Sequence, residues 1–278
     1  MSVWSYEGKR VVIAGCFSGM GEATARELVR LGGEVHGLDV KESPVDLASF
    51  RTCDLRDPTA IEEVVADIGG PVDALFNCAG LAQTFPPLDV MKVNFIGTRH
   101  LTEQVVPLMR RGSAIVTISS TAGCGFLQRI PQLLEFVNTP AFDDAVAWCE
   151  EHPGLVDDGY AWSKETLIVW TMSRASQLIE RGIRLNCVSP GPTETPMMPE
   201  FEQAASKELI DVFTWPIQRR SRPEEQAYPL IFLNSDAASF VNGHNFNVDG
   251  GFVGGALTGQ IDVLAAMAEV LGAAAIPS

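Results

Sequence analysis

The feature that most constrains this chain is a short apolar strand running straight into a glycine-spaced loop and then a helix. Arg10 to Ala14 (RVVIA) leads into Gly15-Cys-Phe-Ser-Gly19-Met-Gly21, and Glu22 to Leu31 continues with helical spacing. Glycines suit a place where a pyrophosphate must come close to the backbone. The helix N-terminus then offers free N–H groups and positive dipole character to the phosphates. The strand before and the helix after raise this loop above an ordinary glycine-rich turn. Gly15, Ser18, Gly19, Met20 and Gly21 are the candidate phosphate contacts.

The rest of the chain repeats the alternation. Further strands are expected at Glu34 to Leu38, Phe50 to Cys53, Val72 to Phe76, Ala114 to Ser119, Ile183 to Val188 and Asn245 to Val248. Helices are expected at Pro58 to Ile68, Val90 to Arg110, Tyr160 to Arg181 and Glu224 to Leu233, with a terminal one at Ile261 to Leu271. Strand–helix alternation implies βαβ crossovers. The expected fold is therefore α/β: one doubly wound (Rossmann) domain over 1–278, with a parallel seven-stranded sheet and helices on both faces. Two stretches fall outside the alternation, 124–158 and the extension 253–278.

Composition narrows the function. The formal net charge is -15 and no basic run occurs, which argues against nucleic acid and anionic membrane as partners. The six cysteines form no CxxC pair and none lies near a His at ligand spacing, so neither a disulfide framework nor a metal site is expected. The N-terminus lacks the apolar core of a signal peptide, and no apolar run is long enough to span a bilayer. A cytoplasmic location is the simplest expectation.

Two further spacings carry chemistry. Asp39 ends the second strand about 20 residues past the glycine loop, where a carboxylate can accept hydrogen bonds from both ribose hydroxyls and would repel a 2′-phosphate. That favours NAD as cofactor, although Lys41, two residues on, leaves NADP open. Tyr160 and Lys164 stand four apart at a helix start, on one face. A phenol with an ordinary pKa of about 10 is a poor base at neutral pH. A nearby ammonium favours the phenolate, and so does an oxidised nicotinamide, letting Tyr160 exchange a proton with an alcohol.

Together these motifs resemble the short-chain dehydrogenase/reductase family over roughly Lys9 to Phe252. The loop spacing is GxxxGxG, and Ala14 stands where that family often has Thr. The resemblance implies that Asp54 and Leu55 touch adenine. It also implies that Asn77-Cys78-Ala79-Gly80 stands for the family's Asn-Asn-Ala-Gly, bringing Asn77, Ala79 and Gly80 to the cofactor. Ser120, before Thr121-Ala122-Gly123, would bond the substrate oxygen, with Ser119 the lesser candidate. Asn94 would interrupt its helix and hold a water linked to Lys164. Pro190 and Gly191 would sit beside the nicotinamide, Thr195 would bond its carboxamide with Thr193 near, and Tyr160 and Lys164 would also contact the cofactor. Asp249-Gly250-Gly251 matches the family's last strand end.

One departure stands out. Ser120 and Tyr160 are 40 positions apart, much farther than is usual in that family. Segment 124–158 has helical apolar spacing and is expected to form two short helices over the substrate side of the cleft. Phe126, Leu127, Ile130, Leu133, Leu134, Phe136 and Trp148 would shape an apolar pocket there. The other reading is that they pack on the body or on a neighbouring subunit. The insertion and the Pro190–Pro196 stretch look most like the bacterial branch that holds hydroxysteroid and coniferyl-alcohol dehydrogenases. The expected partner is thus a small apolar alcohol or ketone. An NADPH-dependent carbonyl reductase is the alternative, and a non-catalytic cofactor sensor is a weaker one. The resemblance also implies a homo-oligomer, dimer or tetramer, with the insertion able to redirect pairing through the two long helices.

Overall fold

In the computed structural model, which describes residues 2–272, seven strands form one all-parallel sheet in the order β3-β2-β1-β4-β5-β6-β7. The strands are β1 (Arg10–Ala14), β2 (Glu34–Asp39), β3 (Ser49–Thr52), β4 (Val72–Asn77), β5 (Met109–Ile118), β6 (Arg184–Pro190) and β7 (Asn245–Val248). The order reverses between β1 and β4, which opens a crevice at the carboxyl ends of the central strands.

Alternation along each strand feeds two cores. Val12, Ala14, Leu75 and Ile115 face one side, and Val11, Ile13, Phe76 and Val116 face the other. The second side is covered by α1 (Gly19–Arg30) and α11 (Pro223–Asn234). The first is covered by α2 (Pro58–Ile68), α4 (Thr98–Val105) and α8 (Tyr160–Leu178). Helix α2 starts sharply because the Asp57 carboxylate accepts from Thr59 N and Ala60 N, with Pro58 in the first turn.

The expected long helix from Val90 to Arg110 is corrected. The chain instead forms α3 (Pro87–Met91), a π-helical turn (Lys92–Gly97), α4 and a 3₁₀ turn (Val106–Leu108). Met109 and Arg110 already belong to β5, with Met109 paired to Val72. The π turn fits its surroundings. Asn94 is drawn to the Leu81 backbone, and a Cβ at Gly97 would run into the Leu55 carbonyl.

Segment 124–158 does fold into short helices: α5 (Ile130–Val137), α6 (Phe142–Glu151) and α7 (Pro153–Val156). They pack on the body. Leu133, Phe136 and Trp148 join the core shared with α8 and the π turn, with Phe136 5.3 Å from Phe95 and 4.7 Å from Trp148 between ring centroids. Arg99 fastens the connection between α5 and α6, donating to the Thr139 and Ala141 carbonyls at 3.0 Å each.

Between β6 and α11 lie two further helices, α9 (Met198–Ala205) and α10 (Lys207–Val212). The extension begins with α12 (Phe252–Leu257) and α13 (Val263–Leu271), and α13 packs against α10 of the same chain. The last part of the extension, 273–278, lies outside the described residues. Among the described residues no helix is long and apolar enough to cross a membrane.

Candidate active site

The glycine loop is closed to side chains at two points. Gly15 has φ +86°, and a Cβ there would strike the Ala79 backbone; a Cβ at Gly21 would strike the Gly15 carbonyl. Gly19 has φ +63° and faces the Thr195 methyl, where a Cβ would lie 3.2 Å away. Ser18 is the extended N-cap of α1, and its side chain makes no capping bond to the helix. The first N–H groups of α1 are thus left for an anion, as a dinucleotide pyrophosphate requires.

Asp39 is already partly engaged. Its carboxylate accepts from Phe17 N at 2.9 Å and Lys41 N at 3.3 Å, which aims it along the loop. Lys41 Nζ stands 5.2 Å above the Phe17 ring. Asp54 is held by Arg56 through contacts of 2.7–3.1 Å, and Arg56 also reaches Asp89. Leu55 is buried in the sheet core. Asn77 is buried too, and its Nδ2 donates to the Thr102 and Thr117 hydroxyls. These contacts tie Leu55 and Asn77 into the body, a function that their motifs alone did not reveal.

A cleft of about 320 Å³ opens at the carboxyl ends of β1, β4, β5 and β6. Met20, Ala79, Gly80, Ser120, Tyr160, Lys164, Pro190, Gly191, Thr193 and Thr195 all line it. Residues far apart in sequence are thus brought to one cleft, while Gly15, Ser18, Gly19, Gly21, Asp39, Asp54, Leu55, Asn77 and Asn94 are not among the residues that line it.

Local folding explains how. Gly159, at φ +78°, ends the insertion against Pro87, and the Asp158 carboxylate accepts from Tyr160 N at 2.8 Å to start α8. One turn later Lys164 reaches back toward β5, donating to the Ile118 carbonyl at 3.0 Å. Ser119 donates to the Lys164 carbonyl at 2.7 Å, so its hydroxyl is committed to holding α8 on the sheet. Ser120 lines the cleft beside it, its hydroxyl accepting from Ala122 N. Gly123 lets this segment touch α8: a Cβ there would crowd the Lys164 backbone at 2.9 Å.

Electrostatics at the pair depart from the expectation that Lys164 depresses the Tyr160 pKa. Burial pushes the Tyr160 phenol up to about 12; the Ser120 hydroxyl pulls it down and the Asp158 carboxylate pushes it up. Burial also brings the Lys164 ammonium down to about 8. Its Nζ lies 5.5 Å from the Tyr160 ring centroid. Desolvation is thus the largest influence on both groups.

Asn94 is buried and bonded to its protein neighbours. Its Oδ1 accepts from Leu81 N at 2.7 Å, and its Nδ2 donates to the Leu81 carbonyl and the Ser163 hydroxyl. It orders the loop that follows Gly80.

The apolar wall comes from another segment than expected. The described residues lining the cleft include Met197, Met198, Phe201, Ile210 and Phe213, from α9, α10 and their flanks, but none of Phe126, Leu127, Ile130, Leu133, Leu134, Phe136 and Trp148. Phe201 meets Tyr160 edge-on at 5.1 Å. Arg220 fastens this cover, donating to Glu202 at 2.7 Å and Asp211 at 2.8 Å, with Glu194 at 3.7 Å. The signal available in the sequence was the long stretch between the sixth strand and the next helix, with apolar residues at helical spacing.

Comparison with known proteins gives the family. The short chain dehydrogenase profile matches residues 9–131, and the profile described as enoyl-(acyl carrier protein) reductase matches 152–253. Coniferyl-alcohol dehydrogenase of Pseudomonas sp. (strain HR199 / DSM 7063) is 32% identical, covering 87% of this chain and 96% of its own. The 3-alpha-hydroxysteroid dehydrogenase/carbonyl reductase of Comamonas testosteroni is 35% identical, covering 87% and 95%. Among solved structures, the 3-alpha-hydroxysteroid dehydrogenase of Pseudomonas sp. B-0831 complexed with NADH superposes with a TM-score of 0.75 at 29% identity, covering 90% and 98%. The chain belongs to the short-chain dehydrogenase family. It is an oxidoreductase of the class that binds a nicotinamide cofactor.

Proposed function

We propose that the protein is an NAD-dependent dehydrogenase for a bulky, largely apolar secondary or allylic alcohol, working with the matching ketone or aldehyde in reverse. The observation that carries this reading is Tyr160 and Lys164 one helical turn apart, beside Ser120, in a cleft that Met198, Phe201, Ile210 and Phe213 also line. The dinucleotide would lie along Gly15, Ser18, Gly19, Met20 and Gly21, past Ala79 and Gly80, to Pro190, Gly191, Thr193 and Thr195. Bound there, it supplies the acceptor or donor of a hydride.

The chain's own groups handle the substrate oxygen. Ser120 and Tyr160 hold it by hydrogen bonds, and Tyr160 takes its proton in oxidation and returns it in reduction. Lys164 keeps a cation beside the phenol, which favours the phenolate when the proton moves. Asn94 positions the loop behind them. Phe201, Ile210 and Phe213 exclude water from the substrate side.

Asp39 supports NAD, because a carboxylate at the end of β2 suits free ribose hydroxyls. Lys41 over Phe17 is the observation that favours a phosphorylated cofactor. The names of the similar proteins support hydroxysteroid-like or coniferyl-type alcohols as substrates. Assembly as a dimer or tetramer and a cytoplasmic setting complete the reading. The test is a rate panel of hydroxysteroids, coniferyl-type alcohols and simple cyclic alcohols, with NAD and separately with NADP. Turnover of a bulky class with NAD supports the reading. Turnover with NADP alone refutes the cofactor assignment, and silence with both refutes the reading as a whole.

A further inference from the structure

Segment 124–158 gives the cleft none of the apolar side chains expected of it, yet its last residue reaches the cleft. Among the described residues, Asp158 and Lys164 are the two charged side chains that line it. They do not neutralise one another. Lys164 donates to the Ile118 carbonyl, and burial alone lowers its pKa. The Asp158 carboxylate acts instead on Tyr160, whose phenol it pushes up. Asp158 is half-buried, and its one polar partner among the described residues is Tyr160 N, which donates to Oδ1 at 2.8 Å. The second oxygen, Oδ2, has no partner there and is not buried.

The backbone fixes this carboxylate in advance. Asp157 and Gly159, on either side of it, have φ +52° and +78°, and Gly159 N donates to the Val156 carbonyl at 2.8 Å. Starting α8 needs only an oxygen that accepts from Tyr160 N, which Asn or Ser would also supply. The negative charge is surplus to that task. It stands beside the reacting phenol, in a cleft that Phe201, Ile210 and Phe213 also line. Such surroundings screen a charge less than open water does, so a charged ligand there feels it. A second anion is repelled and a cation attracted.

We propose that Asp158 is a specificity-determining residue that selects the charge of the substrate, turning away alcohols that bear a carboxylate and drawing those that bear an ammonium. The inference rests on the dehydrogenase reading and deepens it.

The experiment compares the whole protein with its Asp158→Asn variant, which keeps an acceptor for Tyr160 N. Three probes share one secondary benzylic alcohol and differ at the para position, which carries isopropyl, carboxylate or aminomethyl. Rates are read with NAD and separately with NADP, at high salt to screen the distant surface charge. The readout is kcat/KM of each charged probe relative to the isopropyl probe in the same protein. Asp158→Asn should raise that ratio for the carboxylate probe by about tenfold and lower it for the aminomethyl probe by a similar factor. Ratios that stay the same, or a loss shared equally by all three probes, overturn the proposal, because a purely structural role would not sort substrates by charge. If Asp158→Asn does not fold, Asp158→Ser, which also keeps an acceptor, carries the same comparison. If the wild type oxidises none of the probes with either cofactor, the dehydrogenase reading fails, and calorimetric binding of the same three probes decides the role of Asp158. The same opposed shifts in relative affinity support it, and unchanged ratios overturn it.

Discussion

Replacing Lys164 with Met should stabilise the protein while abolishing its activity. Lys164 is only 4% exposed, and its Nζ donates to the Ile118 carbonyl. Burial lowers its pKa from an ordinary 10.5 to about 8, so the folded state holds the proton less tightly than the unfolded chain. Below about pH 8 both states are protonated and the burial cost is carried in full. Between about pH 8 and 10.5 the unfolded chain keeps a proton the folded chain has lost, so stability rises with pH. Above that window both are neutral. The drop corresponds to a cost on the order of 3 kcal/mol at neutral pH. Met removes it but strands the Ile118 carbonyl, at about 1 kcal/mol. The net gain is about 2 kcal/mol, roughly 4 °C or more in Tm for a chain of this size. Scanning fluorimetry of both proteins from pH 7 to pH 10.5 checks this. The gap should be widest at pH 7 and close as pH rises. A Lys164→Met protein that is less stable at pH 7, or a gap independent of pH, would refute the argument.

Other perturbations test separate parts of the account. Asp39→Ala should lower kcat/KM for NAD by about tenfold to a hundredfold, the loss of charged hydrogen bonds to ribose, and raise that for NADP; steady-state kinetics with each cofactor checks it. Arg220→Met removes the cation that joins Glu194, Glu202 and Asp211, which are part-exposed, so about 1–2 kcal/mol is lost from the closed cover. The expected readout is a roughly tenfold rise in substrate KM with a smaller change in kcat. Phe136→Ala should cost about 3–5 kcal/mol of stability in chemical denaturation, because Phe136 is fully buried among Phe95, Trp148 and Trp162. Unchanged stability with a changed substrate KM would instead return segment 124–158 to the cleft.

The framework was legible because its signals are local. Strand β1, the glycine loop and α1 announce themselves through spacing, and a parallel strand buried on both faces leaves an apolar run that few other structures explain. Tyr160 and Lys164 were legible because chemistry demands those two groups one turn apart. What stayed hidden depends on which surfaces meet. An apolar helical face at Leu133, Phe136 and Trp148 records that it is buried, not against what. The core beside α8 took that face, and α9 and α10 cover the cleft. The resemblance implied that Asn94 interrupts its helix, but the π form of the turn at Lys92–Gly97 goes with Asn94 bonding to Leu81 and Gly97 lying on the Leu55 carbonyl, contacts with no trace in periodicity. Ser120 was preferred to Ser119 on its resemblance alone; that the Ser119 hydroxyl binds the Lys164 carbonyl while the Ser120 hydroxyl accepts from Ala122 N could not be read from the sequence. The pKa of Tyr160 could not be read from its spacing to Lys164, because burial is the largest influence on both groups.

The central claim is that Tyr160 exchanges a proton with a bulky alcohol in this cleft while reduced nicotinamide forms. The most direct measurement follows reduced-cofactor absorbance with NAD and a 3-hydroxysteroid for the wild type and for Tyr160→Phe, with cofactor binding to each measured by calorimetry. The account predicts turnover by the wild type, and a loss of about a hundredfold to ten-thousandfold in the variant with cofactor still bound, as removal of a proton-transfer group requires. A Tyr160→Phe protein that keeps full turnover would contradict it.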